Sequence, residues 1–319
     1  APSSGQGRVP ALRPRAGSMG RRGKIERMRV AIGGATGMLG RALARSLVHD
    51  GHEIVRLVRG EVTASDQRHW DPDAGRIDSP GLEDVDAVVN LAGTPIAGAR
   101  WTKERKAAIR RSRVTSTLTI VTSLTPDGRC QRFLNGSAVG FYGDTGSAVI
   151  DERDPVGRGF LAQVVSDWEG AVRHAPVPSA MLRTGQVLAR DGGYLAAQWM
   201  LFAAGLGGRV GNGRQFLSWI SLTDHVRAVE FLLGNDLTGP VNLSSPTPVT
   251  NAAFTRAFGH HLNRPTLLPM PLPVVGAIFT REFVREALLS GQRAVPSRLT
   301  EAGFTFRHGT IAEAFAALG

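Results

Sequence analysis

The chain has 319 residues, 42% hydrophobic and 20% charged, and carries a net charge of +11. That is the balance of a soluble protein built from one large domain, or from a large domain with a smaller one attached. The single cysteine, Cys130, excludes an internal disulfide and a cysteine-based zinc site and fits a reducing, cytoplasmic compartment. No apolar run approaches the ~18 residues of a membrane span.

The positive charge is concentrated at one end. Residues 1–28 hold Arg8, Arg13, Arg15, Arg21, Arg22, Lys24 and Arg27 against Glu26 alone, a net of +6, which leaves +5 for the other 291 residues. The segment is rich in Gly, Pro, Ser and Arg and lacks apolar periodicity, so residues 1–27 read as a disordered basic arm. It has no apolar core of a secretory signal. Nucleic-acid binding through it alone would be weak and non-specific, so no specific nucleic acid is expected as a partner.

The ordered pattern begins with "RVAIG", a buried-strand run ending in glycines. Met38, Leu39, Ala42, Leu43 and Leu47 then recur at helical spacing, and Gly51 is placed to stop that helix. "HEIVRLVR" and "VDAVVNLAG" are further strands, and "TKERKAAIRRSRVTSTLTIVTSL" is a long helix with a basic, exposed start. "RFLNGSAVGFYG" is a strand leaving into a loop, "SDWEGAVRHA" continues a helix, and "PSAMLRTGQVL" (178–188) is another strand. Strands alternating with helices predict an α/β protein with a Rossmann-type, doubly wound parallel sheet. After about residue 190 the pattern loosens. "FLSWISLTDHVRAVEFLLG" reads as a short strand feeding a helix capped by Thr223 or Asp224, "VTNAAFTRAFGHHL" as a helix, and "LPMPLPVVGAIF" as a proline-bounded connection. The expected division is the arm (1–27), a nucleotide-binding domain (28–245) with substrate-side insertions after 190, and a smaller C-terminal α/β region (246–319).

"GGATGMLG" places Gly34, Gly37 and Gly40 in a GxxGxxG spacing between a strand and a helix. In that context the pattern predicts a dinucleotide site. Gly34 allows the tight turn, Gly37 lets backbone approach a pyrophosphate, and Gly40 lets the helix sit close on the strand. The phosphates would meet the free N–H groups around Thr36, Gly37, Met38 and Leu39. Arg59 lies 19 residues past Gly40, where an NAD site would place an acid for the ribose 2′-hydroxyl. An arginine there grips a 2′-phosphate instead, so the expected cofactor is NADP(H).

"GGATGMLG", "NLAG" and "SAVGFYG" resemble the short-chain dehydrogenase/reductase superfamily. More narrowly, the chain resembles the epimerase family of atypical short-chain dehydrogenases, with its C-terminal domain of unknown function. The resemblance runs from about Arg29 to Leu318 and includes "NLAGTPIAGARWTKERKAAIRRSRVTST", "LRTGQVLARDGG", "GLGGRVGNGRQFLSWISLTD" and "GQRAVPSRLTEAGFTF". It implies that Leu91, Ala92 and Gly93 border the cofactor, that Gly185 and Val187 lie near the nicotinamide, and that Ser137 hydrogen-bonds a substrate carbonyl. Two departures accompany it. Tyr142 stands one residue further from Ser137 than the superfamily motif has it, and Ser221 replaces the family's histidine in "SWIS".

The superfamily's proton donor is a Tyr followed four residues later by a Lys, a spacing that puts both on one helix face. Counting back eight and four from Glu169 gives Leu161 and Val165. The only tyrosines are Tyr142 and Tyr194, and no lysine lies beyond Lys106, so the pair is absent from the whole chain. Three outcomes follow. Tyr142, Asp144 or Asp167 could give the proton; water could serve for an activated quinone or enone; or the protein could bind NADPH silently, as a regulator or scaffold. The expected partner is an unidentified small molecule, with no metal; a homo-oligomer is compatible with the sequence. Trp101, Trp168, Trp199 and Trp219 are candidates for an aromatic pocket.

Overall fold

The computed structural model describes residues 27–318; the basic arm therefore lies outside the described residues except for Arg27. The chain runs β1 (Arg29–Gly33), α1 (Met38–His49), β2 (Glu53–Val58), β3 (Gln67–Asp71), β4 (Arg76–Ile77), β5 (Ala87–Asn90), α2 (Lys103–Ser123), β6 (Arg132–Ala138), β7 (Val149–Ile150) and α3 (Phe160–Val172). It continues through β8 (Ser179–Thr184), β9 (Gln186–Ala189), α4 (Gly193–Ala203), β10 (Phe216–Leu217), β11 (Trp219–Ser221), α5 (Leu222–Leu233), β12 (Gly239–Leu243), β13 (Val249–Thr250) and α6 (Asn251–His261). The last elements are α7 (Leu272–Ile278), α8 (Arg281–Phe283), β14 (Arg293–Ala294), α9 (Ser297–Glu301) and α10 (Ile311–Ala316).

Eight strands form one sheet in the order β12-β8-β6-β5-β1-β2-β3-β4, parallel except for the β3–β4 pair. The order reverses between β1 and β5, and an open α/β sheet offers its ligand crevice outside the carboxyl ends of the strands at such a point. The strands there are apolar without alternation because both faces are covered: Val30, Ala31, Ile32, Ala87, Val88 and Val89 are fully buried. On one side α1 turns Leu43 and Leu47 into a core shared with α5 and the strands. On the other, α2 brings Ile120, Val121 and Leu124 against Val88 and Phe133.

Three elements differ from the sequence reading. The strand expected over 178–188 is two strands. Gly185 breaks it, and β9 turns away to pair with β11 instead of continuing in the sheet. Any side chain at 185 would be driven into Ser218, since a Cβ there would lie 2.5 Å from its carbonyl oxygen. The cap of α5 is Ser221, whose hydroxyl accepts from the Asp224 N–H at 3.1 Å, rather than Thr223 or Asp224. The connection expected over 268–279 contains α7, which tolerates proline because Pro271 and Pro273 stand where no helical N–H is needed.

Candidate functional site

The glycine loop sits at the crevice. Gly34 has φ +76°, and a Cβ on it would lie 2.7 Å from the Leu91 carbonyl carbon, so only glycine fits this turn. A Cβ on Gly40 would lie 2.3 Å from the Gly34 carbonyl oxygen, which is the close helix–strand approach expected of the third glycine. Around Gly37 there is more room: its Cβ would meet only the Gly34 oxygen, at 3.3 Å. Gly37 is also the N-cap of α1. No side chain caps this helix and its first turn holds no acid, so its leading N–H groups and the positive end of its dipole stay available to an anion.

A cleft of about 470 Å³ opens here. Gly34, Thr36, Gly37, Arg59, Leu91, Ala92 and Gly93 all line it, although they come from three separate stretches of chain. Arg59 is exposed and makes no ion pair among the described residues. Met38 and Leu39 open α1 but point elsewhere. Met38 packs against the Gly192–Gly193 turn and Leu39 against the core. The sequence reading missed Asn90. Fully buried, its Nδ2 donates to Asn135 Oδ1 at 2.9 Å and its Oδ1 accepts from the Ala92 N–H at 3.2 Å, which fixes the loop of Leu91–Gly93. It also missed Trp70, Ser112 and Thr115, which line the same cleft; the run of hydroxyls in "RRSRVTST" was the available signal.

A second, smaller cleft of about 190 Å³ lies at the carboxyl ends of β6 and β8. Leu161 and Val165, the positions where Tyr and Lys would stand, both line it, on the first turns of α3. So does Ala138. Ala138 is one residue past Ser137 and therefore sits at the usual motif spacing from Tyr142. All three positions that would carry Ser, Tyr and Lys are apolar here. Gln186 lines the cleft as well, while its neighbours do not: Gly185 backs onto Ser218 and Val187 is buried in the core. Glu286 is the one carboxylate in the wall among the described residues, and its Oε2 accepts from the Leu161 N–H at 2.9 Å.

Ser137 and Tyr142 belong to a different arrangement. Neither is among the residues lining the cleft. The Ser137 hydroxyl donates to Glu169 Oε1 at 2.6 Å, and Arg183 grips both oxygens of Glu169 at 2.8 Å. Arg183 also donates to the Tyr142 hydroxyl at 2.9 Å, and that hydroxyl donates to Asn242 Oδ1 at 2.8 Å. Burial pushes the Tyr142 phenol up to about 12, although Arg183 opposes the rise. A phenol that is enclosed, doubly engaged and reluctant to ionise is poorly suited to pass a proton to a substrate. Asp144 accepts from the N–H groups of Gly146 and Gly291, and Asp167 pairs with Arg110 at 2.5 Å; neither lines the cleft. Of the four tryptophans proposed for an aromatic pocket, Trp168 reaches this cleft, whereas Trp101, Trp199 and Trp219 pack in apolar clusters. Ser221 contacts His308 Nδ1 at 2.8 Å while capping α5.

Residues 30–159 match the model of the NAD dependent epimerase/dehydratase family, and residues 270–318 match a domain of unknown function (DUF1731). An epimerase family protein of Mycobacterium bovis is 48% identical over 289 residues, covering 89% of this chain and 95% of that one. The crystal structure of the human epimerase family protein SDR39U1 with NADPH superposes with a TM-score of 0.85 at 30% identity, covering 91% of this chain and 99% of that one. A nucleoside-diphosphate sugar epimerase from Corynebacterium glutamicum gives 0.74 at 34% identity, over 92% of this chain and 58% of that one.

Proposed function

Because the chain belongs to the epimerase family, we propose that it binds NADP(H) in the larger cleft and exchanges hydride with a small molecule in the adjoining smaller one. The observation that carries the reading is the convergence of Gly34, Thr36, Gly37, Arg59 and Leu91–Gly93 on one cleft around an uncapped helix N-terminus. The N–H groups of α1 would hold the diphosphate, and Arg59 the 2′-phosphate. The NADPH-bound human relative supports the choice of cofactor. Bound NADPH supplies a hydride. Around it, Ala138, Leu161 and Val165 stand where the superfamily's Ser, Tyr and Lys would be, and they offer no proton. A quinone or enone would suit a site without the usual acid, because the proton its reduced oxygen needs would come from solvent at the mouth of the cleft. We infer a cytoplasmic setting from the single buried cysteine.

The apolar residues at Ala138, Leu161 and Val165 also favour a second reading, a catalytically silent NADPH-binding regulator. Fluorescence titration with NADPH and NADH, beside Gly37→Asp, separates these readings from none at all. Aspartate is a favourable cap, so the variant stays folded while its carboxylate repels phosphate. Micromolar NADPH binding, at least tenfold weaker for NADH and lost in the variant, is the expected result. NADPH oxidation with a member of a quinone, enone and nucleotide-sugar panel then marks an enzyme, and none with any of them marks the regulator. Absence of binding by either nucleotide overturns both.

A further inference from the structure

Arg113, on α2, is a cation that the fold leaves without a counter-charge. It lines the smaller cleft, yet among the described residues no carboxylate comes within ion-pair distance of it. The contrast with Arg183, whose guanidinium is matched by Glu169 on both oxygens, is direct. The Arg113 Nη1 donates to the backbone oxygens of Thr94 and Ile109, both at 2.9 Å, and the guanidinium lies over Trp168 at 5.2 Å from the ring centroid. Its Nη2 and Nε donate to no protein atom among the described residues, and both keep contact with solvent. Burial, with Arg105 adding repulsion, lowers its pKa to about 10, so it still holds its proton at neutral pH. An enclosed charge without a partner is costly, and a fixed planar fork with free donors is the geometry that receives an oxyanion.

We propose that Arg113 is the anchor for an anionic group beside the hydride site, and that the ligand of the smaller cleft is a mainly apolar molecule carrying a carboxylate. This rests on the cofactor reading above and names the substrate class for that site. The dimensions agree: an apolar cavity of about 150 Å³ accommodates a benzene ring, and this one measures about 190 Å³ with Leu161, Val165 and Trp168 in its wall. Glu286 makes no ion pair with the fork; its Oε2 accepts from the Leu161 N–H and its Oε1 lies 3.4 Å from Arg285. A second source of the same charge is the cofactor's own diphosphate, because Arg113 packs against Gly93, which lines the larger cleft: a Cβ on Gly93 would lie 3.3 Å from its Cζ.

The test has two arms, run on wild-type protein, Arg113→Gln and Arg113→Lys. One titrates NADPH. The other titrates benzoate, with benzamide as the neutral isostere, into protein saturated with NADP⁺, following intrinsic tryptophan fluorescence; Trp168 lies in the cleft wall. A loss of at least tenfold in benzoate affinity in the glutamine variant, with benzamide unchanged and the lysine variant within about threefold of wild type, assigns the anion to the substrate. The same loss confined to NADPH assigns it to the cofactor diphosphate, which keeps the anchor and overturns the carboxylate-bearing ligand. Unchanged affinities in both arms overturn the proposal, and so does a wild type that binds benzoate no better than benzamide while NADPH ignores the substitution. If the glutamine variant does not fold, Arg113→Met, which keeps the apolar stem beside Trp168 and removes the charge, carries the comparison with the same thresholds. Failure of the wild type to bind NADPH would instead sink the cofactor reading.

Discussion

His225 is almost wholly buried at the start of α5, and its Nδ1 has no hydrogen-bond partner. Burial lowers its pKa from 6.5 to about 4, because the enclosing side chains cannot solvate an imidazolium. Between those two values the unfolded chain binds a proton that the folded chain refuses. The stability associated with the neutral ring is therefore complete above pH 6.5 and is lost as the pH falls towards 4. The gap corresponds to about 3 kcal/mol. Urea unfolding at pH 7.5 and pH 4 should differ by that amount more in the wild type than in His225→Gln. Identical pH profiles for the two proteins would show that the ring is hydrated or already charged in the fold. At this scale the sequence is least legible. Nothing in "SAVGFYG" says that Ser137 turns to Glu169 while Ala138 faces the cleft; a one-residue register difference decides it, and side-chain direction reverses with each residue of a strand. The long spacing between Ser137 and Tyr142 was the sole visible trace.

The elements were far easier to read. Strand β1, the glycine loop and α1 follow from local chemistry, because buried runs, helical spacing and glycines at forced backbone positions leave little choice. Helix α3 is the instructive contrast. Its apolar residues serve two purposes at once, core and cleft, and the sequence cannot tell them apart. Val164 and Val165 are both buried, and both line the smaller cleft. That packing argues against a vacant place kept for the missing lysine. Val165→Lys should put an ammonium into the wall at a position 5% exposed, in a cleft whose one described carboxylate, Glu286, already accepts from the Leu161 N–H. We expect a loss of about 1–3 kcal/mol in urea unfolding and no gain of hydride transfer. A variant as stable as the wild type would mean that the wall opens readily to hold the charge, and that the superfamily's proton relay was lost without compensating repacking.

At the scale of the molecule, the segment after residue 245 is woven back into the nucleotide-binding part. Strand β14 pairs with β7, which precedes it by more than a hundred residues. Ser218 donates to the Gln292 oxygen at 2.8 Å and accepts from the Ala294 N–H at 2.9 Å, while Asn242 Nδ2 reaches the Val295 oxygen at 3.0 Å. Leu188, Leu195 and Trp219 share one apolar cluster with Phe254, Phe258 and Phe315, and Leu299 and Phe304 join the cluster under the sheet. Pairings of such sequence separation leave no local pattern, which is why "LPMPLPVVGAIF" and the short strands around it resisted reading while β1 did not. A chain ending at residue 245 would expose Trp219 and strand the buried Ser218 and Asn242. Each unpaired group costs about 1–3 kcal/mol, and the apolar loss adds several more, against a total stability of about 5–15 kcal/mol for a typical domain. The truncated chain should therefore fail to unfold cooperatively, whereas residues 27–319 should show one transition, coincident by tryptophan fluorescence and far-ultraviolet circular dichroism. If the truncated chain instead melts cooperatively and still binds NADPH, the boundary near 245 separates two independent folding units, and the interwoven contacts add rigidity to the clefts without holding the nucleotide-binding part together.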